Sequence, residues 1–293
     1  MKILHFSDIH YWKIQIGSDP YYPKRFLGLM NLIFSRKKHF PPPLADTVIN
    51  AIRQEEADAV LFSGDLTTTS LESEFKKAAD SFAPLYEKWG DQLIVIPGNH
   101  DRYTPSSVKA KYYEEYFPNA FAEMGSRVFS KPLNDHLCVI GFDASRPFMV
   151  RSNGTFTESL TKELEDEFSK IRKTYQNVIL MGHFPYAYPA NIHSKFHHKL
   201  IGEERLAELI SEYNPIAYLH GHKHVRWCLK DPATKQTLCI NAGPAGMSSS
   251  DPDKHAGWVV FDVNESGDVT KIIKVHLSSE GETIRETVDL SKL

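Results

Sequence analysis

A chain of 293 residues, 41% hydrophobic and 24% charged, has ordinary globular composition and can bury a sizeable core, which excludes a disordered or fibrous class. A net charge of −3 offers no global field for nucleic acid, so no nucleic-acid polymer is expected as a partner. Three scattered cysteines, Cys138, Cys228 and Cys239, contain no CxxC pair; they argue against a disulfide framework or zinc ribbon and suit a reducing compartment.

In chain order, "KILHFSD" comes first, a β-rich run without the long apolar core or small-residue cleavage site of a signal peptide. No later run approaches the length of a membrane span, and the expected location is cytoplasmic. Residues at about 20–43 form an amphipathic insert. Phe26, Leu27, Met30, Ile33 and Phe34 recur at helical spacing, flanked by Lys24, Arg25, Arg36, Lys37 and Lys38. Two readings stay open there. The segment either covers the core with solvated charges, or lies through residues 24–38 on an anionic membrane surface, at the inner face of the cell membrane.

A helix is predicted over 45–56, with Val48, Ile49 and Ile52 on one face, before the strand "ADAVLFSGD". "TSLE" predicts a capping box of Thr69 and Glu72 opening a helix over 70–88. The strand "QLIVIPGNHD" follows, then Thr104 and Pro105 as the cap and first turn of another helix. After "HLCVIGFDAS", residues 158–175 place Leu160, Leu164, Phe168, Ile171 and Tyr175 on one stripe. "NVILMGHFP" leads into residues 186–200, whose aromatics and His193, His197 and His198 form either a substrate cap or an ordinary loop, and are not read as metal ligands. Leu206, Leu209 and Ile210 mark a helix over 203–213. The strands "IAYLHGHKH", "TLCINAGPAG" and "GWVVFDV" complete the pass, the last turning at "NESGD" into an antiparallel partner.

Consecutive rather than alternating apolar residues suit strands buried on both faces, and strand–helix alternation argues an α/β layered fold with a mixed sheet system. One domain over 1–293 is expected.

The strand exits carry the chemistry. They read "SDIH" (Asp8, His10), "SGDL" (Asp65), "PGNHD" (Asn99, His100, Asp101), "GHFP" (His183) and "HGHKH" (His222, His224). In open α/β sheets, ligands bind at the carboxyl ends of strands, so these side chains can converge on one crevice. Singly, Asp and Asn at such positions read as turn chemistry. As an ordered set, oxygen and imidazole ligands without thiolate suit manganese, iron, zinc or a similar divalent ion. There are more of them than one ion needs. A shared carboxylate such as Asp65 can bridge two ions roughly 3.5–4 Å apart and activate water against a phosphoryl centre.

This ordered set, from Asp8 to His224, resembles the calcineurin-like metallophosphoesterase family. The resemblance implies a two-sheet mixed β-sandwich flanked by helices and a binuclear centre of two divalent ions, manganese first, with iron or zinc as alternatives. Asp8, His10, Asp65 and His224 would hold one ion; Asp65, Asn99, His183 and His222 the other. His100 would face the substrate phosphate and protonate the leaving oxygen, oriented and kept cationic by Asp101, with Asn99 helping to stabilise phosphoryl charge. Asp101 alternatively reads as a turn cap, Asp143 as a turn residue or an outer support, His5 and His220 as packed histidines, and "NAGPAG" as a tight turn.

The implied reaction is hydrolysis of a phosphodiester or pyrophosphate bond. The insert favours a membrane-associated nucleotide-lipid such as UDP-2,3-diacylglucosamine, a lipid A precursor; a cyclic nucleotide is the alternative. A non-catalytic scaffold of the same fold is a further alternative, although such members typically lose ligands that this chain keeps.

Overall fold

The structure is a computed structural model that describes residues 1–15, 22–118, 126–193 and 195–293. Two six-stranded mixed sheets stack face to face. The first orders Thr283–Thr287, Val269–Leu277, Gly257–Val263, Lys2–Phe6, Ala59–Phe62 and Leu93–Val95. The second orders Arg226–Lys230, Leu238–Ala242, Ala217–His220, Asn177–Met181, Leu137–Phe142 and Val128–Pro132. Parallel pairing dominates each centre: Lys2–Phe6 runs parallel to Ala59–Phe62, and Asn177–Met181 lies parallel to both of its neighbours. Antiparallel strands close every edge except that of Leu93–Val95, which is parallel, and Gly257–Val263 pairs directly with Lys2–Phe6, tying the C-terminal hairpin to the first strand.

Strand periodicity explains the layering, because successive side chains alternate between faces. Ile3, Leu61, Ile94, Val139, Ile179, Leu219, Ile240 and Val259 fill the space between the sheets. Leu4, Phe6, Val60 and Phe62 point outward, where helices Pro42–Gln54 and Glu72–Trp89 cover them with Val48, Ile52, Phe75 and Phe82. Ile140, Phe142 and Leu180 are covered likewise by Leu160, Leu164 and Phe168 of Glu158–Ile171 and by Leu206 and Ile210 of Glu203–Tyr213. The continuous apolar runs read as doubly buried strands are therefore that, and the expected two-sheet sandwich flanked by helices is the architecture found. Among the described residues, no helix is long and apolar enough to cross a membrane.

Local signals differ in detail. Glu203–Tyr213 matches its predicted bounds, whereas the helix from Glu158 ends at Ile171, before Tyr175. The expected capping box sits two residues further on. The helix opens at Glu72 with Leu71 as its cap, and it is Glu74 whose carboxylate accepts the Leu71 and Thr69 amides at 3.2 and 2.8 Å.

The insert begins outside the described residues, at Pro20 and Tyr21, and is then helical over Pro23–Asn31, with a π-helical turn at Leu32–Arg36. Its orientation reverses the reading of an apolar face on the core with solvated charges. Lys24 and Arg25 are buried and Arg36 is half-buried, while Phe26, Leu27, Met30 and Phe34 are exposed. Arg25 donates to the Thr69 carbonyl at 3.0 Å and the Thr104 hydroxyl at 3.2 Å, and Tyr103 Oη donates to the Lys24 carbonyl at 3.2 Å. Gly28 permits this approach, since a Cβ there would lie 2.4 Å from Tyr103 Oη. Only Lys37 and Lys38 of the five flanking cations remain on the surface.

Candidate metal centre

Each motif residue stands just beyond a strand end, three loops coming from the first sheet and two from the second. Asp8, His10, Asp65, His222 and His224 all hold left-handed backbone, with φ between +50° and +72°. Such conformations cost on the order of 1–3 kcal/mol each and persist where the surroundings over-determine them, as at ligand clamps. Gly98 is needed for close approach: a Cβ there would sit 2.2 Å from Asp65 Oδ1.

Two groups of ligand-type atoms result, Asp8 with His10, Asp65 and His224, and Asp65 with His183 and His222, each group lying within 4.8 Å. These are the two sets expected from the sequence, with Asp65 in both. Asn99 completes the second, its Oδ1 lying 2.9 Å from His222 Nδ1 and 3.2 Å from His183 Nε2.

The donor chemistry fits a cation. Three imidazoles are fixed at one nitrogen by a backbone carbonyl: His10 Nδ1 by Thr67 at 3.1 Å, His183 Nδ1 by Ser63 at 2.8 Å, and His222 Nε2 by His198 at 2.9 Å. That nitrogen must be the donor, so in a neutral ring, as burial favours for His10 and His222, the other presents a lone pair. His10 Nε2 then meets His224 Nε2 at 3.0 Å and Asp65 Oδ2 at 3.6 Å, while His183 Nε2 meets Asp65 Oδ2 at 3.3 Å. Where the rings are neutral, lone pairs facing carboxylate, amide oxygen and one another, almost wholly buried, repel unless a positive charge, a proton or a bound cation, stands among them.

Protonation tendencies divide accordingly. Burial holds His10 and His222 well below the ordinary imidazole range. Burial would lower His183 too, but the Asp65 carboxylate outweighs it and raises the group to about 9. Burial would raise Asp65, yet His183 and His100 hold it well below the usual carboxylate range.

His100 stands beside these groups, its ring 4.8 Å from that of His10 and stacked on Tyr103. Its Nδ1 donates to the Thr68 carbonyl at 2.6 Å, and its Nε2 lies 3.0 Å from Arg36 Nη2. Burial first, and then Arg36, hold its pKa well below the ordinary value. The expected partnership with Asp101 is absent. Asp101 instead accepts the amides of Gly98, Asp65, Leu66 and Thr67 and the Thr67 hydroxyl, all at 2.9–3.1 Å. It caps the loops carrying Asp65 and Asn99, the alternative considered from sequence. Burial and the Asp65 charge push this carboxyl up to about 7.

The bland readings of the remaining candidates fit their surroundings. His5 bonds Ser63 Oγ at 2.9 Å, and His220 packs between Tyr218 and Trp227 beside Asn241. Asp143 accepts from Arg102 and the Ser145 amide. Asn241 braces the loop of His222 by donating to the Gly221 carbonyl at 2.7 Å.

A cavity of about 480 Å³ opens over the centre. His100, Asn99 and His222 line its floor, and the insert supplies Lys24, Leu27 and Arg36. His193, Lys195 and His198 of the 186–200 segment complete the wall, with Ser194 outside the described residues. Sequence reading missed Arg36 and Lys24 as site residues; their only signal was basic character on the polar side of an amphipathic segment.

The family model for calcineurin-like phosphoesterases matches residues 1–226. A curated relative, "Probable glycerophosphodiester phosphodiesterase GpdQ" of Arcobacter nitrofigilis, is 28% identical over 168 residues, 57% of this chain and 56% of its own length. The matched region thus spans about half of that relative. A dimetal phosphatase from Danio rerio superposes with a TM-score of 0.64 at 13% identity, covering 99% of each chain. A purple acid phosphatase, PPD1 of yellow lupin, gives 0.60 at 13% identity, covering 99% of this chain and 54% of that one. At such identities the two structures speak to the fold alone.

Proposed function

Because this chain belongs to the calcineurin-like phosphoesterase family, we propose that it hydrolyses a phosphodiester or pyrophosphate bond at a centre of two divalent ions, held by Asp8, His10, Asp65 and His224 and by Asp65, Asn99, His183 and His222. The supporting observation is the convergence of buried ligand-type atoms on Asp65, which stands in both groups. Two bound ions, manganese first, would activate a water and polarise the phosphoryl oxygens.

The chain's own groups do the rest. Asp65 Oδ1 accepts the His100 amide at 2.7 Å, which leaves Oδ2 for the centre. Asn99 Nδ2 is buried and has no partner among the described residues, so it is available to a phosphoryl oxygen. His100, fixed by the Thr68 carbonyl, would contact the phosphoryl group and the leaving oxygen. Asp101 shapes the loops rather than the ring.

The substrate we favour carries an apolar part. Leu27 and Val150 line the cavity, and exposed Phe26, Met30, Phe34, Met149 and Phe196 stand on the same three segments. A nucleotide-lipid such as UDP-2,3-diacylglucosamine, presented at a membrane face, would match apolar residues exposed on the segments that line the cavity. A second reading is a simple glycerophosphodiester, as in the name of the curated relative.

The test is turnover of bis(p-nitrophenyl) phosphate with manganese, followed by a panel of UDP-2,3-diacylglucosamine, glycerophosphodiesters and cyclic AMP. His100→Ala is expected to lower turnover by roughly 100-fold or more while two ions still bind. Folded wild-type protein that is inert with several divalent ions would overturn the reading.

A further inference from the structure

Lys24 and Arg36 are two cations pointed at one cavity without an anion to answer them. The Lys24 ammonium is buried with its Nζ unpartnered among the described residues, its nearest aromatic neighbour being the Tyr103 ring at 4.4 Å. Among the described residues the hydrogen-bond partners of Arg36 are histidines, Nη2 lying 3.0 Å from His100 Nε2 and Nη1 3.3 Å from His10 Nδ1, and its guanidinium stands 5.7 Å over the Phe40 ring. Among the described residues neither cation forms an ion pair with a carboxylate. The structure nonetheless holds them in place, Lys24 through the helix docked on Tyr103 and Arg36 through the π-helical turn. Single π-turns of this kind are common at functional sites.

A buried ammonium without a partner is unfavourable, and two cations lining one cavity oppose each other as well. Two divalent ions held by only two aspartates already leave the centre cationic. Lys24 and Arg36 therefore exceed what a single monoanionic diester would balance. A planar guanidinium reads phosphoryl oxygens in a fork, and an ammonium acts as a point charge beside it.

Resting on the phosphohydrolase reading above, we infer that Lys24 and Arg36 clamp a second phosphoryl group next to the one being hydrolysed, so that the substrate class is a pyrophosphate diester rather than a single-phosphate diester. The insert is then a specificity element: its polar face reads the second phosphate while Phe26, Met30 and Phe34 stay exposed.

The test is calorimetric binding of imidodiphosphate and of orthophosphate to manganese-loaded wild type, Lys24→Met and Arg36→Gln, beside kinetics on a pyrophosphate diester and on bis(p-nitrophenyl) phosphate. Wild type is expected to bind imidodiphosphate at least about tenfold more tightly than orthophosphate. Each variant should lose roughly 10–100-fold for imidodiphosphate, the scale of a charge-assisted hydrogen bond, and clearly less for orthophosphate. In kinetics the variants should raise KM for the pyrophosphate diester more than they lower kcat. Lys24→Met should also melt no lower than wild type, since it removes an unpartnered buried charge, whereas a merely structural lysine would be missed. Equal losses on both ligands, or none, would overturn the clamp. The two ideas fail separately. Absent turnover with intact variant-sensitive imidodiphosphate binding defeats the hydrolase reading, and turnover with no preference for imidodiphosphate defeats the clamp.

Discussion

The amides of Gly98, Asp65, Leu66 and Thr67 all point at one carboxylate, that of Asp101, which draws the second and third strand exits together. Through them it sets where Asp65 and Asn99 stand, without touching the His100 ring. Replacing Asp101 by Asn turns one acceptor oxygen into a donor facing those amides. The expected cost is about 2–4 kcal/mol of stability, since buried donors lose their partner, together with a 10–100-fold loss of metal affinity, roughly the scale of other outer supports. Denaturant melts and calorimetric metal titration check both; a stable variant with unchanged affinity would return Asp101 to an incidental role. Gly98→Ala attacks the same point sterically, because its Cβ would meet Asp65 Oδ1 at 2.2 Å. It should abolish binding of both ions, as the carboxylate it displaces belongs to both groups.

Helices were the most legible elements, because their apolar stripes are long enough to average out local accidents. Val48, Ile49 and Ile52, or Leu206, Leu209 and Ile210, lie on the buried faces that their spacing requires. The strand exits were legible for a different reason: each motif is weak, but their order along the chain is restrictive. What the sequence concealed was the facing of the insert. Amphipathic spacing defines two faces and does not say which one turns inward; over a site built of carboxylates and imidazoles the polar face does, so Lys24 and Arg25 are buried while Phe26 and Phe34 stay out. The short edge strands Val128–Pro132 and Arg226–Lys230 escaped notice because their half-exposed residues carry little apolar signal. The capping box was displaced for a third reason. Glu74 satisfies the Thr69 and Leu71 amides as well as that of Lys13, and so outcompetes Glu72, which begins the helix itself. Glu74→Ala would leave these donors to rearrange. A loss of about 2 kcal/mol is expected, measured by denaturant unfolding, and Glu72→Ala should cost under about 0.5 kcal/mol.

At the scale of the whole molecule the centre is a junction between the two sheets. Asp8, His10, Asp65 and Asn99 leave the first sheet, and His183, His222 and His224 leave the second. Protein bonds already cross here, the His222 amide donating to Asp8 Oδ2 at 2.9 Å and the His183 ring to the Ser63 carbonyl. Ions shared between the two sets would add a second kind of cross-link, since they bind only where both sheets are in register. Ligands that bind the folded state alone stabilise it by mass action, about 2.7 kcal/mol for an ion at a hundredfold excess over its Kd. Two ions would add about 5 kcal/mol, and chelation should lower the Tm by roughly 10 °C or more. Asp65→Asn should abolish most of that difference by itself, because one residue serves both ions. His224→Ala, which touches only one set, should remove about half. Melting curves with manganese and with EDTA distinguish these outcomes. A chelated wild type that melts within 2 °C or so of the loaded protein would show that the sheets are joined without the ions and that the buried lone pairs are tolerated for some other reason.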